Sequence, residues 1–319
     1  SFTSVPINQD YSLDPDRGVT DPAVGITTAD ILQNREAILG ISPVSSAPAY
    51  LAGDFNASGT ITTLDIVLMR EVILGGSTFP SGAWRFYPSD YSFGSSPPYN
   101  PPGVREYTGL TSDKTGQDFT AVKRGDPNGS WSSEDTSSLA AKSRTADLGF
   151  RVEENGDVAV GDTVSITLSA KDIREIAALQ FSLNWEASKL TYIDATPGEL
   201  PGLSSDNYDA RADDGTFTFA WTDPEAQAQS LPRGDALVRL IFVIQDDMPT
   251  VSLTSSPTPA RAYDGQIDAM AVPGIEVQLA ASAPREARLW PVSPNPVSGS
   301  ASVKYALPEE MRAEIKIYN

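Results

Sequence analysis

Cysteine and histidine are both missing from the 319 residues of this chain. The first absence excludes disulfide staples, thiol nucleophiles and thiolate metal sites. The second removes imidazole from every zinc centre, catalytic triad and proton shuttle. Carboxylate, hydroxyl, lysine and tyrosine chemistry is what remains. Lack of cysteine does not by itself assign a compartment. No run approaches the ~20 apolar residues of a membrane-spanning helix. Positive charge is scarce as well, with 23 basic against 42 acidic residues and a net charge of −19. That balance argues against nucleic acid, which needs a basic surface. It suits secretion, high salt and divalent cations, most of the carboxylates being solvating surface. Ser1 is not a translation start and no signal peptide precedes it, so the chain reads as processed or partial.

Two stretches repeat. Ile26–Gly40 and Ile61–Gly75 agree at ten of fifteen positions, which marks a duplicated structural unit. Each copy predicts a helix, from about Thr28 to Leu39 and from about Thr63 to Leu74, with a threonine cap and a glycine stop. Ile31, Ile38 and Leu39 match Ile66, Ile73 and Leu74, giving equivalent apolar stripes. Before the second helix, Asp54 to Asp65 forms a twelve-position loop. Oxygen-bearing side chains stand at positions 1, 3, 5, 9 and 12, Gly59 at position 6 and Ile61 at position 8. This is the EF-hand calcium pattern, ended by Asp in place of Glu. The plainer alternative is an Asp/Asn/Gly turn that caps a helix.

The first copy lacks the front half of such a loop. Counted back from Asp30 as position 12, position 1 is Val19 and position 6 is Val24, and only Asp21 falls at a ligand position. Gly125-Asp126-Pro127-Asn128-Gly129-Ser130, however, is spelled like the missing half. A split site follows, with Asp126, Asn128 and Ser130 at positions 1, 3 and 5 and Thr27 and Asp30 at 9 and 12. An independent turn at Asp126–Gly129 is the competing reading.

The chain divides at changes of texture. Residues 1–130 form the calcium module, with an irregular insertion over 77–118. Its rings Phe79, Trp84, Phe86, Tyr87 and Tyr91 serve either as packing or as a carbohydrate platform. A Ser/Thr/Ala/Lys-rich linker covers 131–146. From 147 to 280 short alternating segments such as Val164–Leu168, Leu179–Leu183, Thr216–Trp221 and Leu237–Val243 predict an antiparallel sandwich. A hinge at 281–288 precedes a tail, 289–319, with strand-like runs Ala301–Leu307 and Ala313–Tyr318. The expected fold class is thus multidomain and mainly β: a small α calcium loop–helix pair with its insertion, then a jelly-roll sandwich and a partial β tail.

The duplicated loop–helix unit, over residues 12–130, resembles the dockerin domain. That resemblance implies two calcium ions. For the continuous loop it implies side-chain ligands Asp54, Asn56, Ser58 and Asp65, a carbonyl from Thr60, and a direct or water-bridged contact from Thr62. It also implies docking onto a cohesin domain through Thr28, Ala29, Thr63 and Leu64, and along the helices through Arg35, Glu36, Arg70 and Glu71. The Arg–Glu pairs read equally well as solvated helix surface. The insertion, with Trp84-Arg85-Phe86, is similar to dockerin-like modules of type IX secretion substrates.

Gly161-Asp162-Thr163-Val164, Leu179–Glu186, Leu190-Thr191-Tyr192 and Asp235–Phe242 resemble a cohesin domain. Fibronectin-like and carbohydrate-binding sandwiches are the competitors. The tail, through Pro291–Pro296, Ala301–Tyr305 and Ile315–Asn319, resembles a truncated type IX sorting domain and implies export to a bacterial surface.

The acidic pairs Glu153-Glu154, Asp213-Asp214 and Asp246-Asp247 are adjacent in sequence, unlike glycosidase carboxylates, which flank a cleft from separate elements. No catalytic residue is expected. The combined reading is a secreted, non-catalytic, calcium-dependent scaffold or adhesion protein. Its partner is a protein, the cohesin or dockerin of another chain, with head-to-tail self-assembly into filaments as one outcome and folding back across the short linker onto its own sandwich as the competing one. The alternative is an accessory, glycan-binding region of a secreted polysaccharide-degrading enzyme.

Overall fold

The computed structural model describes residues 5–17, 23–76, 79, 81–131, 144–153, 158–284, 286–290, 292, 302–303, 305–309, 312, 314 and 316. Strand β1 (Tyr11–Leu13) precedes three helices, α1 (Thr28–Leu39), α2 (Ala47–Gly53) and α3 (Thr63–Ile73). Helices α1 and α3 start alike: Thr27 and Thr62 are extended N-caps whose capping boxes are completed by Asp30 and Asp65. Gly40, at φ 72, stops α1 in the left-handed conformation that lacks a Cβ penalty. Helix α2 has no counterpart among the sequence expectations. Ser46 caps it by accepting from the Ala49 N–H at 3.2 Å, and it delivers the chain to Asp54.

The insertion closes on this helical unit. Strand β2 (Trp84–Pro88) is followed by β3 (Arg105–Tyr107), which pairs β1, and by β4 (Phe119–Lys123), which pairs β2. Its rings meet one another edge to face, as in Tyr87–Phe93 at 5.0 Å and Phe93–Tyr99 at 5.5 Å. They pack beside Leu51, Ala52 and Val122, so this cluster is used for packing.

The sandwich begins with β5 (Asp147–Glu153) and the long β6 (Thr163–Trp185). Then come β7 (Leu190–Pro197), β8 (Tyr208–Arg211), β9 (Thr216–Thr222), β10 (Gln229–Leu231) and β11 (Ala236–Ile244). β12 (Thr250–Thr254), β13 (Arg261–Asp264), β14 (Ala269–Ala271) and β15 (Glu276–Gln278) complete it. β6 serves both sheets. Its first half pairs β5 and β11, with β7 beyond; its second half pairs β9, β12 and β13. Leu179, Phe181, Leu183, Phe217, Phe219 and Trp221 point into one large core.

Side chains alternate faces along a strand, so Gln180, Ser182 and Thr218 belong to the opposite face and should meet water. They do not: each is fully buried, and all seven residues of β9 are buried. Something covers this outer face. The cover is α1 and α3.

In the tail, β16 (Arg288–Leu289) pairs β17 (Tyr305–Ala306), within the first expected run. The second expected run lies largely outside the described residues, as does most of the linker at 131–146. Ser282, placed by the sequence in a hinge, instead bridges Ala159, with backbone bonds to Val158 and Val160.

Candidate metal centres and docking face

The continuous loop is folded around its acidic residues. Asp54 accepts the N–H of Ser58 at Oδ1 and of Gly59 at Oδ2, both at 2.9 Å. Asn56 Oδ1 accepts Ser58 N–H at 2.9 Å. Asp65 reaches back, accepting Asn56 N–H at 3.1 Å and the N–H and hydroxyl of Thr62 at 2.7 and 3.0 Å. Asp54 and Asp65 are buried. Ser58 Oγ bonds the Thr60 carbonyl at 3.1 Å.

The same pattern reappears across the split loop. Asp126 accepts Ser130 N–H at 2.8 Å and Trp131 N–H at 3.0 Å, while Asn128 Oδ1 accepts Ser130 N–H at 2.8 Å. Asp30 accepts the N–H and hydroxyl of Thr27, both at 2.9 Å. Thus Asp126, Asn128 and Ser130 meet Thr27 and Asp30 in the arrangement of their counterparts Asp54, Asn56, Ser58, Thr62 and Asp65. Sequence reasoning omitted two members of this loop, Trp131 at the sixth position and Gly25 at the seventh. Gly25, at the position of Thr60, is the carbonyl donor expected there; counting back from Asp30 would have found it.

The charge of the split loop bears on a metal. Asp30 is fully buried beside Asp126. Burial first, and the neighbouring Asp126 charge second, push its carboxyl well above the ordinary range; the Thr27 hydrogen bonds and the nearby Asn128 N–H act the other way. Burial also raises Asp126. Two close, buried carboxylates fit a hard divalent cation, which would neutralise both. Each loop brings two carboxylates, with the other oxygens from amide, hydroxyl and carbonyl groups. No group of three or more acidic side chains placed to share one metal ion occurs among the described residues.

The split loop abuts the covered sheet face. Thr28 N–H donates to Gln180 Oε1 at 2.7 Å. At the far end of α3, the Thr258 and Thr218 hydroxyls donate to the Ile73 and Leu74 carbonyls at 2.8 and 3.0 Å. These are C-terminal carbonyls that no helical N–H can reach. Ala29 and Leu32 join a buried cluster with Ala177, Ala178, Ala226 and Tyr263, and Ala220 enters the cluster of Ile31, Ile66 and Met69. Tyr263 also reaches the Thr27 side chain, and Arg35 donates to the Pro224 carbonyl at 3.0 Å.

The expected partner residues therefore separate. Thr28, Ala29, Arg35 and Glu36 were expected to meet a cohesin domain, of another chain or of this one. Thr28, Ala29 and Arg35 meet this chain's own sandwich, and Glu36 is buried. Thr63, Leu64 and Glu71 stay exposed, and Arg70 is half-buried, burial lowering the pKa of its guanidinium while the Asp206 charge acts the other way.

Residues 149–272 match the family model of the cohesin domain, so the sandwich is of cohesin type. No curated protein matches the chain. Among solved structures, one type I cohesin–dockerin complex from Clostridium thermocellum overlaps at 12% identity and a TM-score of 0.33, covering 42% of this chain and 99% of that one. A second such complex from the same organism gives 17% and 0.35, covering 44% and 98%. A type II cohesin domain from the cellulosome of Acetivibrio cellulolyticus gives 13% and 0.33, covering 42% and 95%. The family match, not these overlaps, assigns the sandwich.

Proposed function

We propose that this chain is a non-catalytic, extracellular assembly module in which a calcium-loaded, dockerin-like helix pair is seated on its own cohesin-type sandwich. One observation carries the reading: the polar outer face of β6 and β9 is buried, and its Gln180, Thr218 and Thr258 neighbourhood satisfies the ends of α1 and α3. Calcium at the two loops is supported by their matching geometry and by the buried, mutually repelling pair Asp30 and Asp126. The family match supports a protein-assembly role over catalysis, and the sorting-domain resemblance of the tail supports a bacterial surface.

Docking within one chain competes with head-to-tail growth. A tethered partner acts at an effective concentration in the millimolar range, far above that of a second molecule in dilute solution. The expected species is a closed monomer whose assembly role toward other proteins uses surfaces outside the covered face.

The chain has no thiols of its own, which permits a clean test. Gly75 lies against the Arg211 guanidinium, so cysteines at Gly76 and Arg211 stand on opposite sides of the contact. A short bismaleimide should join them within a single chain in calcium. A product of twice the mass, or no product, overturns internal docking.

A further inference from the structure

The two calcium loops differ at one bond. In the continuous loop, positions six and seven are Gly59 and Thr60, joined by a peptide. In the split loop the same positions are Trp131 and Gly25, far apart in sequence. Trp131 nevertheless fills the role of Gly59: its N–H donates to Asp126 Oδ2 at 3.0 Å, as that of Gly59 donates to Asp54 Oδ2 at 2.9 Å. The loop is interrupted between the sixth and seventh positions, and the gap is bridged by a side chain.

That bridge is tightly packed. Gly25 has φ +84, and a Cβ added to it would lie 2.6 Å from Trp131 Cδ1 and 2.8 Å from Trp131 Cβ. The indole thus rests on the bare backbone of Gly25. The Trp84 ring stands edge to face with it at 4.8 Å. The Arg17 guanidinium carbon lies 4.5 Å from the Trp131 ring centre and 4.7 Å from that of Trp84. Trp84 is held in turn by the β2–β4 register, opposite Lys123, whose ammonium lies 4.5 Å over Phe79. Lys123 ends the strand that delivers Gly125 and Asp126.

We propose that Trp131 is the positioning residue that closes the split calcium loop, with Arg17 and Trp84 pressing its ring onto Gly25 in place of the missing peptide bond. This rests on the split-site reading. The ring fixes where the Gly25 carbonyl and Thr27 stand relative to Asp126, Asn128 and Ser130. It touches no ion itself. The insertion gains a purpose beyond packing, since it supplies Trp84 as the wall behind the clasp.

The test uses the full chain, stripped of metal and titrated with calcium chloride by calorimetry. The unaltered chain should bind two ions; one ion or none overturns the split-site reading itself. In an Asp54→Ala background only the split loop remains, so the heat reports it directly. There Trp131→Ala should weaken binding about 10- to 100-fold, the usual cost of losing an outer-shell partner, and Trp131→Phe should recover most of it. Gly25→Ala, which displaces the ring from the other side, should weaken the same site. With Asp54 intact, Trp131→Ala should leave the affinity of the continuous loop unchanged. Unaltered affinity of the split loop in Trp131→Ala overturns the proposal, and so does equal weakening of both loops, which would mark a general loss of structure.

Discussion

Asn34 and Met69 occupy the same place in the two copies of the repeat, and they touch: Asn34 Nδ2 donates to Met69 Sδ at 3.3 Å. A residue that meets its own counterpart marks an internal two-fold axis, here passing between α1 and α3. The start of α1 and the end of α3 both bond the sandwich sheet, so the helices run antiparallel about that axis. The pseudo-symmetry is then broken by docking. Ala29 and Leu32 are buried, while their counterparts Leu64 and Val67 are 53% and 44% exposed.

Calcium should control the helical unit more than the sandwich. Without a cation, Asp30 and Asp126 face each other in a buried site. A bound ion adds RT ln(1 + [L]/Kd), about 4 kcal/mol at a thousandfold excess over Kd. Calorimetric melting in chelator should show an earlier transition for the helices, with the sandwich transition retained. Asp54→Ala should give part of the same shift. A melting curve indifferent to chelator would rule out a structural ion.

The helix-end hydroxyls should each matter measurably. Thr218→Val and Thr258→Val preserve shape but strand a buried carbonyl, which costs roughly 1–3 kcal/mol. Hydrogen exchange along the last turn of α3 should accelerate in both variants. Unchanged protection would mean that water replaces the hydroxyl and that the contact is looser than described.

Equivalent substitutions in the two repeats should have unequal effects. Ala29→Arg forces a charge among Ala177, Ala178 and Tyr263 and should open the contact, raising the hydrodynamic radius. Leu64→Arg and Thr63→Arg, on exposed positions, should change stability by no more than about 0.5 kcal/mol. Light scattering at tens of micromolar in calcium should find monomers for the unaltered chain and for both exposed variants. Calcium-dependent oligomers lost in Leu64→Arg would instead establish docking between chains.

Acidity should act in opposite directions with and without metal. The folded Asp30 carboxyl is raised above its ordinary value of 3.8, so the metal-free fold favours its protonated form. That contribution is fully present below the unfolded value and is lost as pH rises through the raised folded value. Metal-stripped protein should therefore melt lower at neutral pH than in mild acid, whereas calcium, which needs both carboxylates ionised, should bind better at neutral pH. A metal-free melting point flat across that range would contradict the buried pair.

Much of the local structure was legible because it depends on near neighbours. The capping boxes at Thr27 and Thr62 follow from threonine and aspartate three residues apart, and the alternation Phe217-Thr218-Phe219-Ala220-Trp221 states a strand with one apolar side. Even the pairing of Asp126 with Asp30 could be proposed, because Gly125–Ser130 repeats the spelling of Gly53–Ser58. Helix α2 was missed: its seven residues carry too short a period to stand out.

What the sequence determined by itself was the inventory: two repeat helices, one complete calcium-type loop, half of another, and a β-sandwich without thiol or imidazole chemistry. Which surface is inside was decided by tertiary structure alone. Thr218 and Gln180 read as solvent-facing by their alternation, yet they are buried because a second module lies over them. Trp131 read as the first residue of a linker, yet it closes a loop whose other half begins at Gly25. Periodicity reports only which face of an element differs from the other. What covers the polar face depends on contacts between segments distant in sequence, and no local pattern encodes them.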